Sequence, residues 1–387
     1  MGFPFYFIAG FVFLVYSYVL YPLLLKAMLK KKSNVTVYQR TAVVPSLSIV
    51  IAAHNEEKVL REKLDSILNC AYPQQQIELL IGIDSSADFS AIIAKEYQHK
   101  FASCKVFEFE QRQGKIQIVN ALVPKAQHEL IVLTDANVLF TQDTLTYLQA
   151  PFNNPEIGLV DTRMQHYGLK NTGISMPESG YIAGEVEIKE AEGKLWGAMM
   201  GPFGGCFAFR KACFEPIPAH FLVDDFFINM TCIEKGYRCI TQKEAVVLED
   251  VSNDLLIEFR RKIRISSGNF QNLRRFWRLL FKFNWVSFTF FSHKVLRWIL
   301  PVFLLLMSFH VIRNSHATWL HSLLYYILWL IPITFLVDYM ARKQNVQLIW
   351  LRYPIHFISM NVALLIGLFK FFGGIRSSVW QPTKRHQ

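Results

Sequence analysis

The stretch LIVLTDANVLF, residues 130–140, decides the fold. Its first five residues are apolar or β-branched, as in a strand buried on both faces, and the run stops abruptly at Asp135. The same grammar recurs upstream. LSIVIAA, residues 47–53, runs into HNEE; IELLIGI, residues 77–83, runs into Asp84 and the rest of DSSAD; a short strand at 105–109 precedes RQGK. Helical patterns lie between these runs, at 56–69 with Val59, Leu60, Leu64, Ile67 and Leu68 on the inner face, at 91–99 and at 115–122. Strands alternating with helices imply an α/β fold, Rossmann-like, with a mainly parallel sheet covered by helices.

In such a sheet, ligands sit beyond the carboxyl ends of the strands. Those ends carry Asn55, Glu56, Asp84 and Asp135. Asp and Asn are ordinary turn and cap residues, but a cap accounts for one acid and not for a polar rim along an edge. The chain lacks the glycine fingerprints of dinucleotide and P-loop folds. A bound nucleotide therefore needs its phosphates neutralised another way, and a divalent cation held by a carboxylate serves.

Outside this segment the composition changes. Of 387 residues 52% are hydrophobic and 33 are Phe, a bias toward lipid contact rather than a soluble core. Residues 3–25, FPFYFIAGFVFLVYSYVLYPLLL, carry no charge and can cross a hydrocarbon core of about 30 Å. With no basic start and no small-residue cleavage site, they read as a transmembrane helix rather than a signal peptide. Runs at 298–312 and 319–337 are further spans; the weaker run at 353–369 begins with Pro354 and His356 nearby and either spans or stays re-entrant or interfacial. The expected organisation is a membrane helix at 1–25, an α/β domain at 26–267, an amphipathic interfacial segment at 268–294, two or three membrane helices at 295–372 and a basic tail at 373–387.

Bases follow the first span at Lys26, Lys30, Lys31, Lys32 and Arg40, and precede the second at Arg260, Arg261, Lys262 and Arg264. The positive-inside rule thus puts the α/β domain in the cytoplasm of a multi-pass cell (inner) membrane protein. A net charge of +11 then fits membrane lipid as a partner, and no nucleic acid. If all three C-terminal runs span, the tail with Arg376, Lys384 and Arg385 ends outside, against the same rule; an interfacial last run removes the conflict and returns Trp380 to the cytoplasmic side. Six cysteines without a C-x-x-C pair exclude a disulfide framework and a zinc site.

Six motifs in order resemble family 2 glycosyltransferases of the GT-A fold, over residues 46–264. IVIAAHNEE resembles the family's opening strand and A-x-N-E turn, LLIGIDSSAD its D-x-S-x-D strand end, and RQGK its R-x-G-K. TDAN stands where the metal-binding D-x-D lies; GPFGGCFAFRK, residues 201–211, resembles the glycine-rich acceptor-side turn; VDDFFINMTCIEKGYRC, residues 223–239, resembles the E-D or D-D segment. The resemblance implies a nucleotide-sugar donor, with Asn55, Glu56 and Asp84 on the nucleotide, Asp84 on the base or ribose and suggesting uracil. It implies Lys115 close to the phosphates, and Asp135 with Asn137 on a divalent cation, Mg2+ or Mn2+, bridging the diphosphate. Asp225 becomes the catalytic base, with Gly204, Gly205, Asp224 and Arg264 on the acceptor side.

The implied chemistry is inverting transfer to a saccharide or lipid-linked acceptor, in cell-surface polysaccharide or glycolipid synthesis, with the leaving diphosphate stabilised and the acceptor hydroxyl deprotonated. Asp224 and Asp225 also read as acids favoured at a helix start by its dipole. Two departures stand out. RKIRI, residues 261–265, replaces the Q-x-x-R-W of polymer-extruding members, with Arg261 for glutamine and Ile265 for tryptophan. That removes an aromatic platform for a sugar ring and keeps open single-sugar transfer to a ceramide-like or polyprenyl-phosphate acceptor, or a silent assembly subunit; the bases equally read as an anchor on anionic lipid. Asn137 offers an amide oxygen but no charge, so it implies weaker metal binding than an acid there.

Overall fold

The computed structural model describes residues 2–32, 44–167, 175–250, 255–344, 346 and 348–375. Arg40 and, in the tail, Arg376, Trp380, Lys384 and Arg385 lie outside the described residues. Eight strands form one sheet: β1 Leu47–Ala53, β2 Ile77–Asp84, β3 Ser103–Phe109, β4 Leu130–Asp135, β5 Val138–Phe140, β6 Ile157–Tyr167, β7 Cys206–Arg210 and β8 Arg238–Asp250. Their order is β3-β2-β1-β4-β7-β6-β8-β5.

The first four strands are mutually parallel, as the βα alternation predicts. β7 enters antiparallel to both β4 and β6, and β5 closes the edge antiparallel to β8. The pairing of Ala52 with Asp135 and of Ala53 with Ile83 brings the ends of β1, β2 and β4 level, so Asn55, Asp84 and Asp135 share one edge.

Successive residues of a strand point to opposite faces, and here both faces are covered. Ile49, Ile51, Leu79 and Val132 pack with Leu60 and Leu64 on one side. Val50, Leu80, Ile131 and Leu133 face the other, in a core that continues through Phe226 and Phe227 to Phe270, Phe276, Phe290 and Trp298. The α/β domain and the helices that follow it therefore share one core rather than being joined by a free linker.

Among the described residues, four helical segments are long and apolar enough to cross a membrane: Phe5–Lys31, Trp285–Arg313, Trp319–Lys343 and Ile349–Phe372. The first runs antiparallel to the second. A Cβ on Gly10 would lie 2.6 Å from Met307 Sδ, the rings of Phe13 and Phe303 stand 5.1 Å apart, and Arg297 donates to the Ser17 carbonyl at 3.1 Å.

The last segment behaves differently. It lies parallel to the helix Leu255–Phe276: Lys262 meets His356 through Glu178, Ser266 Oγ donates to the Leu364 carbonyl at 2.8 Å, Ser267 Oγ to that of Gly367 at 3.0 Å, and Phe270 faces Phe371. Both ends of Ile349–Phe372 thus touch elements packed on the α/β domain. The boundary expected at 267/268 falls inside the unbroken helix Leu255–Phe276. Ser266, Ser267, Gly268, Phe270 and Asn272 are buried there, so the expected interfacial character does not describe the first part of 268–294. Small residues let the backbones approach closely, and that burial replaces lipid contact. Beyond it, Trp277, Phe281, Phe283 and Trp285 are exposed.

A Cβ at Gly367 would lie 2.4 Å from Ser266 Cβ and 2.8 Å from the Ile263 carbonyl oxygen. Gly367→Val should therefore pry these helices apart, at a cost of about 1–3 kcal/mol, read as a lowered thermal midpoint of the detergent-solubilised protein. An unchanged midpoint would contradict the close crossing.

Candidate active site

β4 ends on Asp135 above a buried lysine. Lys63 is fully buried, donates to Thr134 Oγ1 at 2.9 Å and to the Val138 carbonyl, and stacks 3.6 Å from the Phe140 ring centroid. Burial pushes its ammonium down to about 7. The helical pattern at 56–69 shows Lys63 only as a polar residue between Leu60 and Leu64, on the face that packs inward; its place under the β4–β5 turn is tertiary. Asp135 N–H donates to the Gly205 carbonyl at 2.9 Å, so the acid is clamped between Lys63 below and the 201–205 loop beside it.

Asn137 was expected beside Asp135 on a cation. The structure buries its side chain in the β4–β5 turn, where Nδ2 donates to Glu249 Oε1 at 3.1 Å. Asp84 was expected on a base or ribose. Its Oδ1 and Oδ2 accept the backbone N–H groups of Gln113 and Gly114 at 2.7 and 2.8 Å, and the side chain is buried. Asp84 thereby anchors the turn that presents Lys115, where Gly114 takes a φ of 87° that favours glycine. Asn55 and Glu56 stitch the β1 and β2 ends together: Asn55 Oδ1 accepts from Ala87 N–H at 2.9 Å, and Glu56 N–H donates to Ser90 Oγ at 2.8 Å. They lie on the rim, Asn55 exposed and Glu56 half-buried.

Lys115 Nζ lies 2.8 Å from Asp135 Oδ1, 3.3 Å from Asp224 Oδ2 and 3.5 Å from the Gly204 carbonyl oxygen. Burial alone would lower the Lys115 ammonium, but Asp135 and Asp224 hold it above the ordinary lysine value. Asp225 sits on the next position of the helix Asp224–Glu234. That helix has Val223 at its cap and no side-chain capping bond, so neither acid is the cap; both lie in its first turn, where the dipole favours them. Burial first, and the neighbouring Asp224 charge second, push the Asp225 carboxyl up to about 6, against the pull of Lys115 and Arg264. Arg264 donates to the Leu222 carbonyl at 3.0 Å within the field of all three acids.

The glycines of the 201–205 loop have specific neighbours. A Cβ on Gly204 would lie 2.5 Å from Asp225 Oδ2, and one on Gly205 would lie 2.9 Å from Val138 Cγ2. Gly204 is thus needed for space beside the carboxylate. Phe203 N–H donates to Asp161 Oδ1, whose other oxygen takes Lys189 at 2.6 Å; this buried pair supports the loop and the sequence reading missed it.

A second unforeseen feature is an acidic stripe on the helix Ser175–Trp196. Glu178, Glu185 and Glu192 are spaced by seven, lie on one face and are buried. Glu178 takes Lys262 and His356, and Glu185 takes His293, Lys294 and Arg297. Glu192 takes His293 Nδ1 at 2.8 Å, Tyr21 Oη at 2.8 Å and, at 3.1 Å, the Met200 N–H that leads into the 201–205 loop. Of the bases in RRKIR, Arg261 and Lys262 face Glu258, Lys262 also meets Glu178, and Arg264 turns to the acid cluster. Protein carboxylates engage Arg261 and Lys262, where anionic lipid was the alternative, and Arg264 donates to the Leu222 carbonyl.

Comparison with known proteins agrees with this geometry. The pattern of the family described as Glycosyl transferase family 2 matches residues 48–217. The chain is 22% identical over 337 residues to the poly-beta-1,6-N-acetyl-D-glucosamine synthase of Staphylococcus epidermidis, covering 85% of this chain and 74% of that protein. It is 30% identical over 122 residues to the beta-monoglucosyldiacylglycerol synthase of Trichormus variabilis, covering 31% of this chain and only 26% of that protein. A solved mannosyltransferase from Pyrobaculum calidifontis, in complex with GDP-Man and Mn2+, superposes with a TM-score of 0.71 at 20% identity, covering 95% of this chain and 99% of that one. The six ordered motifs, the carboxylate-lined edge of a mostly parallel sheet and these likenesses converge: the chain carries a family 2 glycosyltransferase domain of the GT-A fold, accompanied, among the described residues, by four helices apolar enough to span a membrane.

Proposed function

We propose that the protein is a membrane-bound inverting glycosyltransferase that moves a sugar from a nucleotide-sugar donor to a saccharide or lipid-linked acceptor. One observation carries the reading: Asp135, Asp224 and Asp225 crowd around Lys115 at the carboxyl edge of the sheet, with a glycine opposite Asp225 where a side chain would displace it.

Asp225 is the base. Its raised affinity for protons suits it to take one near neutral pH. The acceptor oxygen attacks the anomeric carbon as its proton passes to the Asp225 carboxylate. The bond from that carbon to the donor's diphosphate breaks, and its electron pair leaves on the diphosphate. One base and no protein nucleophile make this a single displacement with inversion. Lys115 faces the diphosphate, Asp84 fixes the turn that carries Lys115, and Asn55 and Glu56 shape the rim that receives the nucleoside. The name of the Staphylococcus relative favours a saccharide acceptor and that of the Trichormus relative a lipid one; the lost Q-x-x-R-W pattern favours a short product, and product length distinguishes them.

A divalent cation, Mg2+ or Mn2+, fits the residues present. Asp135 Oδ1 and Asp224 Oδ2 converge on one positively charged point, and among the described residues the buried Asp224 Oδ2 accepts no hydrogen bond. When bound, such an ion supplies Lewis-acid stabilisation of the leaving diphosphate. Asp135 and Asp224 are the acids that would hold it; Asn137, whose Nδ2 donates to Glu249, shapes the turn beside them.

The segments Phe5–Lys31, Trp285–Arg313 and Trp319–Lys343 cross the membrane with the catalytic domain cytoplasmic, and Ile349–Phe372 stays along the cytoplasmic face beside Leu255–Phe276. This returns the basic tail to the cytoplasm, as the positive-inside rule demands. A C-terminal tag should then resist protease added outside intact cells; cleavage there would refute the topology.

For the chemistry, the base must be deprotonated, so kcat/KM should fall as pH drops through about 6, the Asp225 value. Asp225→Asn should lower kcat by at least about 100-fold and abolish that acid limb while donor binding survives. A variant with unchanged turnover would instead identify a catalytically silent assembly subunit. Gly204→Ala should displace the Asp225 carboxylate and cost about 10–100-fold in kcat with little change in donor KM; normal kcat would show that the close approach has no catalytic use.

A further inference from the structure

Lys115 stands where a metal ion would be expected to stand. Its ammonium bridges Asp135 Oδ1 and Asp224 Oδ2, at 2.8 and 3.3 Å, and both carboxylates are partly buried, with the Asp225 charge acting on the same ammonium. Among the described residues no group of three or more His, Cys, Asp or Glu is arranged to hold a metal by itself. The protein therefore offers a cation only two carboxylates, and both are already neutralised in part by an ammonium.

We infer that Lys115 is an exchangeable counter-ion that makes cation binding depend on the donor's diphosphate. This rests on the donor and cation reading above and adds to it a direction of coupling. A divalent ion between Asp135 and Asp224 and an ammonium at the same point repel each other, so the ion enters only as Lys115 leaves. Without a nucleotide, leaving moves the ammonium from two carboxylates to none. A diphosphate changes the balance twice: it gives Lys115 a new anionic partner and supplies the oxygens the ion lacks, since Mg2+ in particular is bound by few protein carboxylates plus substrate phosphates. The backbone need not move. Asp84 pins Gln113 and Gly114, so the exchange is a rotation of the Lys115 side chain about a fixed helix start. By linkage, whatever the diphosphate gains for the ion the ion gains for the diphosphate.

The test is Mn2+ binding to the full-length protein in detergent, followed by electron paramagnetic resonance of free Mn2+, alone and with UDP or GDP. The wild type should bind Mn2+ weakly alone and much more tightly with a nucleoside diphosphate. Lys115→Gln removes the competing charge and should tighten Mn2+ binding in the absence of nucleotide by about tenfold or more, a difference of about 1.4 kcal/mol. Lys115→Arg keeps the charge and should bind Mn2+ alone as weakly as the wild type. Mn2+ alone should also raise the thermal midpoint of Lys115→Gln more than that of the wild type, because the ion replaces the missing counter-charge. Lys115→Met serves equally if the glutamine variant does not fold. Unchanged or weaker binding of Mn2+ alone by the uncharged variant overturns the exchange. So does a wild type that binds Mn2+ equally well with and without nucleotide. A wild type that binds no Mn2+ in the presence of UDP or GDP overturns the cation reading itself.

Discussion

Three carboxylates and one ammonium gathered at one strand end and one helix start constrain the rest of this edge of the sheet. Asp135, Asp224 and Asp225 arrive from different elements, a strand end and a helix start, and together they are costly without a cation among them. Lys115 supplies that charge, and the surrounding structure can be understood as what holds Lys115 and the acids in place. Asp84 spends both oxygens on the turn before Lys115. Lys63 braces the β4 end from below, and the Gly205 carbonyl braces it from the side. Gly204 leaves room for the Asp225 carboxylate and no more.

The same logic, burial of charge in pairs, joins the catalytic domain to the apolar helices. Glu178, Glu185 and Glu192 form a buried acidic stripe, and the bases that meet it come from separate segments of the chain. Glu185 is held well below the ordinary carboxylate range; burial alone would raise it, but Lys294, Arg297 and His293 overcome that penalty. Removing one member of such a set leaves a buried charge uncompensated, which costs far more than the intact pair contributes. Since Glu192 also binds the Met200 N–H, the register of the apolar helices reaches the glycine loop beside Asp225 through a single side chain. Positioning of the apolar helices and geometry of the 201–205 loop are therefore one structural problem.

Much of this was legible from local pattern. The runs before His54, Asp84 and Asp135 announce parallel strands because a strand buried on both faces must be continuously apolar. β6, β7 and β8 carried no comparable signal. β6 mixes Asp161, Thr162 and Arg163 into its length, and its pairing with β8 shifts register between Thr162 and Arg163; what makes these strands is the neighbour they pair with. Lys63 and the Asp161–Lys189 pair were illegible for a similar reason. A buried charge looks like a surface charge until its partner, 28 residues away for Asp161, is brought to it.

The sequence by itself determined which residues are available to the chemistry and roughly where along the chain they fall, because strand periodicity and turn chemistry are local. Tertiary structure alone decided what each touches. The hydrogen bonds of Asp84 to the Gln113 and Gly114 N–H groups and of Asn137 to Glu249 join residues far apart along the chain. Hydropathy likewise marked Ile349–Phe372 as apolar, but apolarity suits a span and a packed helix equally. Its parallel seat on Leu255–Phe276 follows from Ser266, Ser267 and Gly367, whose small side chains let two backbones approach as closely as their carbonyls can be hydrogen-bonded.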